Sequence, residues 1–219
     1  MQTADFLVTR LAELDSCAVS DAMDRHGLTG VADAIRPLTS TARVAGRVVT
    51  AKLKPKGDEE PTRHLGTAAI EAAAPGDVIV IDHQGREDAA GWGGILSTAA
   101  QHRGVRGVIV DGACRDVDEA RALGFPVFAT AATPRTARGR VVEESFNEPV
   151  IIRGVSVRPG DLVLADGTGV VFVPAEHAEA VITTAEAIAA REAAMTQAVL
   201  AGRPVSEVMG RSYETMTTG

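Results

Sequence analysis

Asp77-Val78-Ile79-Val80-Ile81-Asp82, then Gly107-Val108-Ile109-Val110, then residues 125–129, are three short apolar runs, each closed off by glycine, proline or a charge. Runs of this length, rich in β-branched residues, read as strands buried on both faces. Helical spacing fills the two gaps between them, at residues 95–103 and 117–123. Strand, helix, strand, helix, strand over residues 77–129 is a βαβαβ pattern, which predicts a parallel sheet with right-handed crossovers.

Working outward, residues 43–53 read as a further strand and residues 64–74 as a helix, with a polar loop at 56–61 between them. Two helices occupy about residues 4–26. The first has Phe6, Leu7, Leu11 and Leu14 on one face, and the second is expected to start at a Ser20 N-cap followed by Asp21. Beyond the loop at 133–140 the style changes to short strands near 141–143, 150–153, 155–157, 161–165 and 170–173. Gly154, Pro159-Gly160 and Asp166-Gly167 punctuate them as turns. This predicts a mostly antiparallel second layer. A long helix at about 175–200 follows. No linker separates the two styles, so one domain is expected over residues 1–219.

Composition removes several function classes. The chain has 22 Lys and Arg against 29 Asp and Glu, a net charge of −7, and 3% aromatic residues. A nucleic-acid partner would call for a basic footprint or stacking platform, so none is expected. No apolar run is long enough to span a membrane, and no signal peptide is visible, so a cytoplasmic protein is expected. Cys17 and Cys114 form no zinc motif, and the five histidines have no paired ligand spacing. The only lysines, Lys52, Lys54 and Lys56, read as solvated at a strand end, which disfavours a Schiff-base mechanism.

Chemistry concentrates at two points. Gly91-Trp92-Gly93-Gly94-Ile95-Leu96 opens a helix, and the N–H groups of Gly93, Gly94, Ile95 and Leu96 could cradle a carboxylate. It is neither a P-loop nor a dinucleotide fingerprint. Twenty residues separate Gly94 from Arg115-Asp116, which read as part of a turn running from Asp111 to Asp116. Arginine offers a fork to carboxylate oxygens, and aspartate a hard ligand for Mg²⁺ or Mn²⁺. The local alternative is that Asp116 caps the next helix, with Glu119 completing a capping box. Cys114, beside Arg115, reads as a small buried residue.

The ordered set Pro75-Gly76-Asp77-Val78, Gly94-x20-Arg115-Asp116 and Gly154-Val155-Ser156-Val157-Arg158-Pro159-Gly160-Asp161 resembles the RraA-like family over about residues 16–205. That family groups 4-hydroxy-4-methyl-2-oxoglutarate aldolases with regulators of ribonuclease activity. The resemblance implies a layered, swivelling-domain-like α/β/β fold and homotrimers or hexamers with sites between subunits. It implies a metal-dependent carbon–carbon lyase that forms a pyruvate enolate from a 2-oxoacid, by oxaloacetate decarboxylation or aldol cleavage. It assigns Asp116 to Mg²⁺ or Mn²⁺, Arg115 to substrate and catalysis, and Gly93, Gly94, Ile95 and Leu96 to the substrate carboxylate. Glu192 resembles an acid reaching a neighbouring subunit's metal. Family aldolases carry an aspartate where this chain has Gly94, which weakens the aldolase expectation; Glu87 or Asp88 is the candidate replacement. A non-catalytic regulator that binds a ribonuclease or another protein is the alternative. The arginines at 63, 135, 138 and 140 suggest an acidic substrate.

Overall fold

The computed structural model describes residues 5–58 and 63–210. The chain runs α1 (Phe6–Ala12), α2 (Ser16–Arg25), β1 (Val31–Ala32), β2 (Arg36–Pro37), β3 (Val44–Pro55), α3 (Thr67–Ala72), β4 (Val78–Arg86), α4 (Gly94–His102), β5 (Gly107–Cys114), α5 (Val117–Leu123) and β6 (Val127–Ala132). It continues through β7 (Val141–Phe146), β8 (Val150–Ile152), β9 (Val155–Val157), β10 (Leu162–Ala165), β11 (Val170–Val173), α6 (Ala178–Leu200) and α7 (Val205–Val208). Among the described residues no helix is long and apolar enough to cross a membrane.

The predicted parallel sheet is present: β3, β4, β5 and β6 lie side by side and parallel. Side chains alternate faces along a strand. On β4, Ile79 and Ile81 enter one core with α3, α4 and α5, while Val78 and Val80 enter another. Both faces are therefore buried, which explains the unbroken apolar run.

β3 is shared between two halves of the sheet. Its start, Val44 to Arg47, pairs antiparallel with β10, and residues 48–52 pair parallel with β4. Its end pairs antiparallel with β7, with a register shift between Lys52 and Leu53. The sheet turns over on itself here. Val48, Val80, Ile109 and Phe128 of the parallel half meet Val163, Ala165 and Phe172 of the antiparallel half in one core. The β8–β9 hairpin closes that core with Val150, Ile152 and Val157. A third core lies beyond β10 and β11, beneath α1, α2 and α6. The layers are the expected ones: helices on a mostly parallel sheet half, packed against an antiparallel half that the predicted N- and C-terminal helices cover.

Some local expectations needed correction. The second helix starts at Ser16, not Ser20: Asp15 caps it by accepting from the Ala18 N–H at 2.8 Å, which leaves Ser20 and Asp21 in the helix interior. The helix expected at 64–74 is α3, confined to Thr67–Ala72 by a left-handed Gly66 before it. Residues 111–114 are not a turn but the end of β5, all buried. Of the expected helix at 4–14, Ala4 lies outside the described residues, as do residues 59–61 of the polar loop.

Candidate functional site

The site forms where β5 ends and α4 begins. Two backbone bonds draw the glycine stretch alongside the end of β5: Gly91 N–H to Ala113 carbonyl at 2.8 Å, and Arg115 N–H to Trp92 carbonyl at 2.9 Å. Trp92 is buried, and its indole N–H donates to Ser97 Oγ at 2.9 Å, which in turn donates to the Gly93 carbonyl at 3.2 Å. This locks the helix start. Gly91 and Gly112 are required because the buried His83 ring lies against both; a Cβ on Gly112 would stand 2.6 Å from His83 Cδ2. Gly112 also has φ of +151°.

Asp116 adopts the left-handed conformation, φ 58°, ψ 39°, which aspartate tolerates better than most residues. It stands at the start of α5 but makes no side-chain cap there, so the capping-box alternative does not hold. Its Oδ2 instead accepts the Gly94 N–H at 2.9 Å, across 22 residues, and its Oδ1 accepts from Arg115 Nε at 3.0 Å. Burial disfavours its charge, yet the Gly94 amide and the Arg115 guanidinium outweigh burial and hold its carboxyl below the ordinary range. The expected four-amide cradle is therefore smaller than predicted, because Asp116 already occupies the Gly94 N–H. Ile95 and Leu96, next in the first helical turn, remain on the wall of the cavity.

That cavity, about 220 Å³, is lined by Gly93, Gly94, Ile95, Leu96, Arg115 and Asp116, and by residues 64–65 and 136–138 of two other segments. It thus brings together every expected site residue except Glu192. Glu192 lies on α6 in a different groove beside Met195 and Val199. Burial, with Asp15 and Asp21 nearby, raises its carboxyl. Arg138 and His64 reach the cavity; Arg63, Arg135 and Arg140 do not line it. Arg63 pairs with Glu143 at 2.8 Å and stacks on Phe146, and Arg140 Nη1 donates to the Thr136 carbonyl at 3.3 Å.

Neither Glu87 nor Asp88 takes up the missing acid's place. Both are exposed and off the cavity wall, and Asp88 is clamped by Arg86 through two bonds of 2.9 Å. The acid is Glu119. A Cβ on Gly94 would collide with Glu119 Oε2, with Glu119 Cδ 3.1 Å and Asp116 Cβ 3.2 Å away. The exposed Glu119 carboxylate thus lies where a side chain on Gly94 would project. The local signal was a second acid one helical turn after Asp116, which local reading assigned to a cap. Cys114 is buried, and burial pushes its thiol up to about 11, so no nucleophile is available there.

Two carboxylates, Asp116 and Glu119, flank Gly94. Among the described residues no group of three or more His, Cys, Asp or Glu side chains is placed to hold a metal. The donor chemistry fits a hard cation that keeps several waters, such as Mg²⁺ or Mn²⁺, rather than an ion needing four protein ligands.

A model of the RraA-like family, described as Aldolase/RraA, matches residues 16–172. A protein of Halalkalibacterium halodurans named "Putative 4-hydroxy-4-methyl-2-oxoglutarate aldolase" is 34% identical over 210 residues, covering 92% of this chain and 94% of that protein. Protein DlpA of Legionella pneumophila is 30% identical over 201 residues; the match takes in 92% of this chain but 33% of DlpA, so the chain spans about a third of that protein. The crystal structure of Streptomyces coelicolor RraAS2, described as an unusual member of the RNase ES inhibitor RraA protein family, matches with a TM-score of 0.79 at 27% identity, over 88% of this chain and 96% of that one.

Proposed function

The chain belongs to the RraA-like family, and from that premise we propose that it is a lyase that cleaves a carbon–carbon bond of a small 2-oxoacid in the Gly94–Asp116 cavity. The observation that carries this reading is the convergence of Arg115, Asp116 and Glu119 on the Gly94 helix start. A cavity of about 220 Å³ is below the roughly 300–1,000 Å³ of sites for drug-sized ligands, which suits a small acid.

The Ile95 and Leu96 amides would receive the substrate carboxylate. The Arg115 guanidinium would bind the C2 oxygen and stabilise the negative charge that develops there as the C3–C4 bond breaks. Asp116, kept ionised by its neighbours, would hold a divalent cation with waters completing its shell, and the cation when bound would supply Lewis-acid stabilisation of the same charge. In aldol cleavage the 4-hydroxyl proton must go to a base, and Glu119 Oε2 is the free carboxylate beside Gly94. Decarboxylation of oxaloacetate needs no such base. In a homotrimer or hexamer Glu192 could enter the site from a second copy.

The test is pyruvate release from oxaloacetate and from 4-hydroxy-2-oxoacids, with Mg²⁺ or Mn²⁺ and with chelator. Asp116→Asn keeps the left-handed backbone and is expected to remove metal-stimulated turnover. Arg115→Ala is expected to lower kcat/KM about 10²–10³-fold. Turnover indifferent to chelator, or a fully active Asp116→Asn variant, would refute the proposal. A wild type with no turnover that instead captures a ribonuclease would favour the regulator reading, which the description of the Streptomyces neighbour supports.

A further inference from the structure

The wall of the cavity away from α4 is built from His64 and from residues 136–138, and it holds a second arginine. Among the described residues Arg138 differs from three arginines near it, and from the equally unpartnered Arg135 in that it lines the cavity. Arg115 is paired with Asp116 and Arg63 with Glu143, and Arg140 is bonded to the Thr136 carbonyl. Among the described residues the Arg138 guanidinium has no hydrogen-bond or ion-pair partner.

Its loop is held in place on both sides. Thr133 N–H donates to the Cys114 carbonyl at 2.9 Å, one residue before Arg115, and Ala90 N–H donates to the Arg135 carbonyl at 3.0 Å. Lys56 N–H donates to the Arg140 carbonyl at 2.8 Å, and Arg138 N–H to Thr136 Oγ1 at 3.2 Å. A backbone fixed at these points keeps Arg138 over the cavity, where an unpaired fork has the geometry for a carboxylate.

We propose that Arg138 is a specificity-determining residue, whose guanidinium receives an anionic group on the part of the substrate beyond the bond that breaks. The inference rests on the 2-oxoacid reading of the same cavity. Arg115 and the α4 amides take the 2-oxoacid end, so a second anion on the substrate would meet the remaining unpaired cation on the wall. His64 flanks it, with Nδ1 3.0 Å from the Leu65 carbonyl. A neutral far end would leave Arg138 in water and gain nothing from it.

The experiment is a calorimetric titration of the full chain with Mg²⁺, using two acids of equal length that cannot undergo aldol cleavage: 2-oxoglutarate, which ends in a carboxylate, and 2-oxopentanoate, which ends in a methyl. Wild type is expected to bind 2-oxoglutarate at least about tenfold more tightly, the scale of one hydrogen bond to a charged group. Arg138→Ala is expected to bring that ratio to within about twofold, Arg138→Lys to leave it intermediate, and Arg135→Ala to leave it as in wild type. Equal affinities in wild type, or an undiminished ratio in Arg138→Ala, would overturn the assignment. If that happens while pyruvate release from 4-hydroxy-2-oxoacids persists, only the role of Arg138 falls. If neither acid binds and no pyruvate is released, the 2-oxoacid reading falls with it.

Discussion

Two pairs of carboxylates lie close together around the end of β5, and their surroundings separate them. Asp82 and Asp111 are register partners on β4 and β5, each about 5% exposed. Their oxygens are occupied: Gln84 N–H on Asp82 at 3.0 Å, the Ile151 amide on Asp82, and the Arg153 N–H and guanidinium on Asp111 at 3.3 and 3.5 Å. Together they hold the β8–β9 hairpin against the sheet. Asp116 and Glu119 are more open and flank a glycine at a cavity. An acid at the C-terminal end of a parallel strand is therefore not a site by virtue of its position. What separates the pairs is access: Asp116 is also bonded through both oxygens, yet it stands on the wall of an open cavity, whereas Asp82 and Asp111 are closed in beneath the hairpin.

The comparison can be broken most severely at Gly94. Glu119→Ala should lower aldol turnover about 10²-fold, the lower range for loss of a general base. Gly94→Asp should cost a similar factor, because two carboxylates would compete for one space. The double variant Gly94→Asp with Glu119→Ala should return to within about tenfold of wild type. Additive losses in kcat/KM would mean that the two positions do not share that space.

A middle-sized effect is expected on stability. Asp111→Ala leaves the Arg153 amide without its acceptor and should cost about 1–3 kcal/mol in urea unfolding. Asp116→Asn should cost less than about 1 kcal/mol, since asparagine keeps an acceptor and tolerates the left-handed backbone. Equal losses in the two variants would erase the distinction between a structural and a functional pair.

The smallest expected effect is on the pH profile, with opposite signs for Asp116 and Asp82. Asp116 has a lowered folded pKa, so its contribution to stability is present above its unfolded value of about 3.9 and lost as pH falls through the folded one. Burial raises Asp82, so its ionisation costs stability, and that cost grows as pH rises from about 3.9 through the raised folded value. In melting curves the advantage of wild type over Asp116→Asn should shrink below about pH 4. Asp82→Asn should gain on wild type as pH rises from about 4, by a few degrees for roughly 1 kcal/mol. Parallel trends would contradict the assigned surroundings.

The parallel core was legible because residues 78–81 of β4 and 107–110 of β5 are buried on both faces and are apolar or glycine throughout. Arg115, Asp116 and the glycine stretch were legible because their spacing survives without knowledge of the fold. Three things were not. The end of β5 read as a turn because Asp111 and Gly112 carry turn chemistry, although their partners, Arg153 and the His83 ring, are distant in sequence. The start of α2 was missed because Ser20 and Asp15 are both good caps, and tertiary packing, which buries Ser16, Ala18 and Val19, favours Asp15. Glu119 was read as a capping residue because its significance lies in Gly94, 25 residues earlier, which only the folded chain brings against it.

β3 has a consequence for synthesis. One edge of this strand is covered by β4, encoded soon after it, but its other edge waits for residues 141–146 and 162–165. A ribosome adding about 5–20 residues per second takes on the order of 5–20 s to travel from β3 to β10. Throughout that interval the nascent chain carries an apolar strand with an open edge, which invites pairing with other chains. Slowed translation between residues 55 and 141 should therefore lower the yield of folded protein.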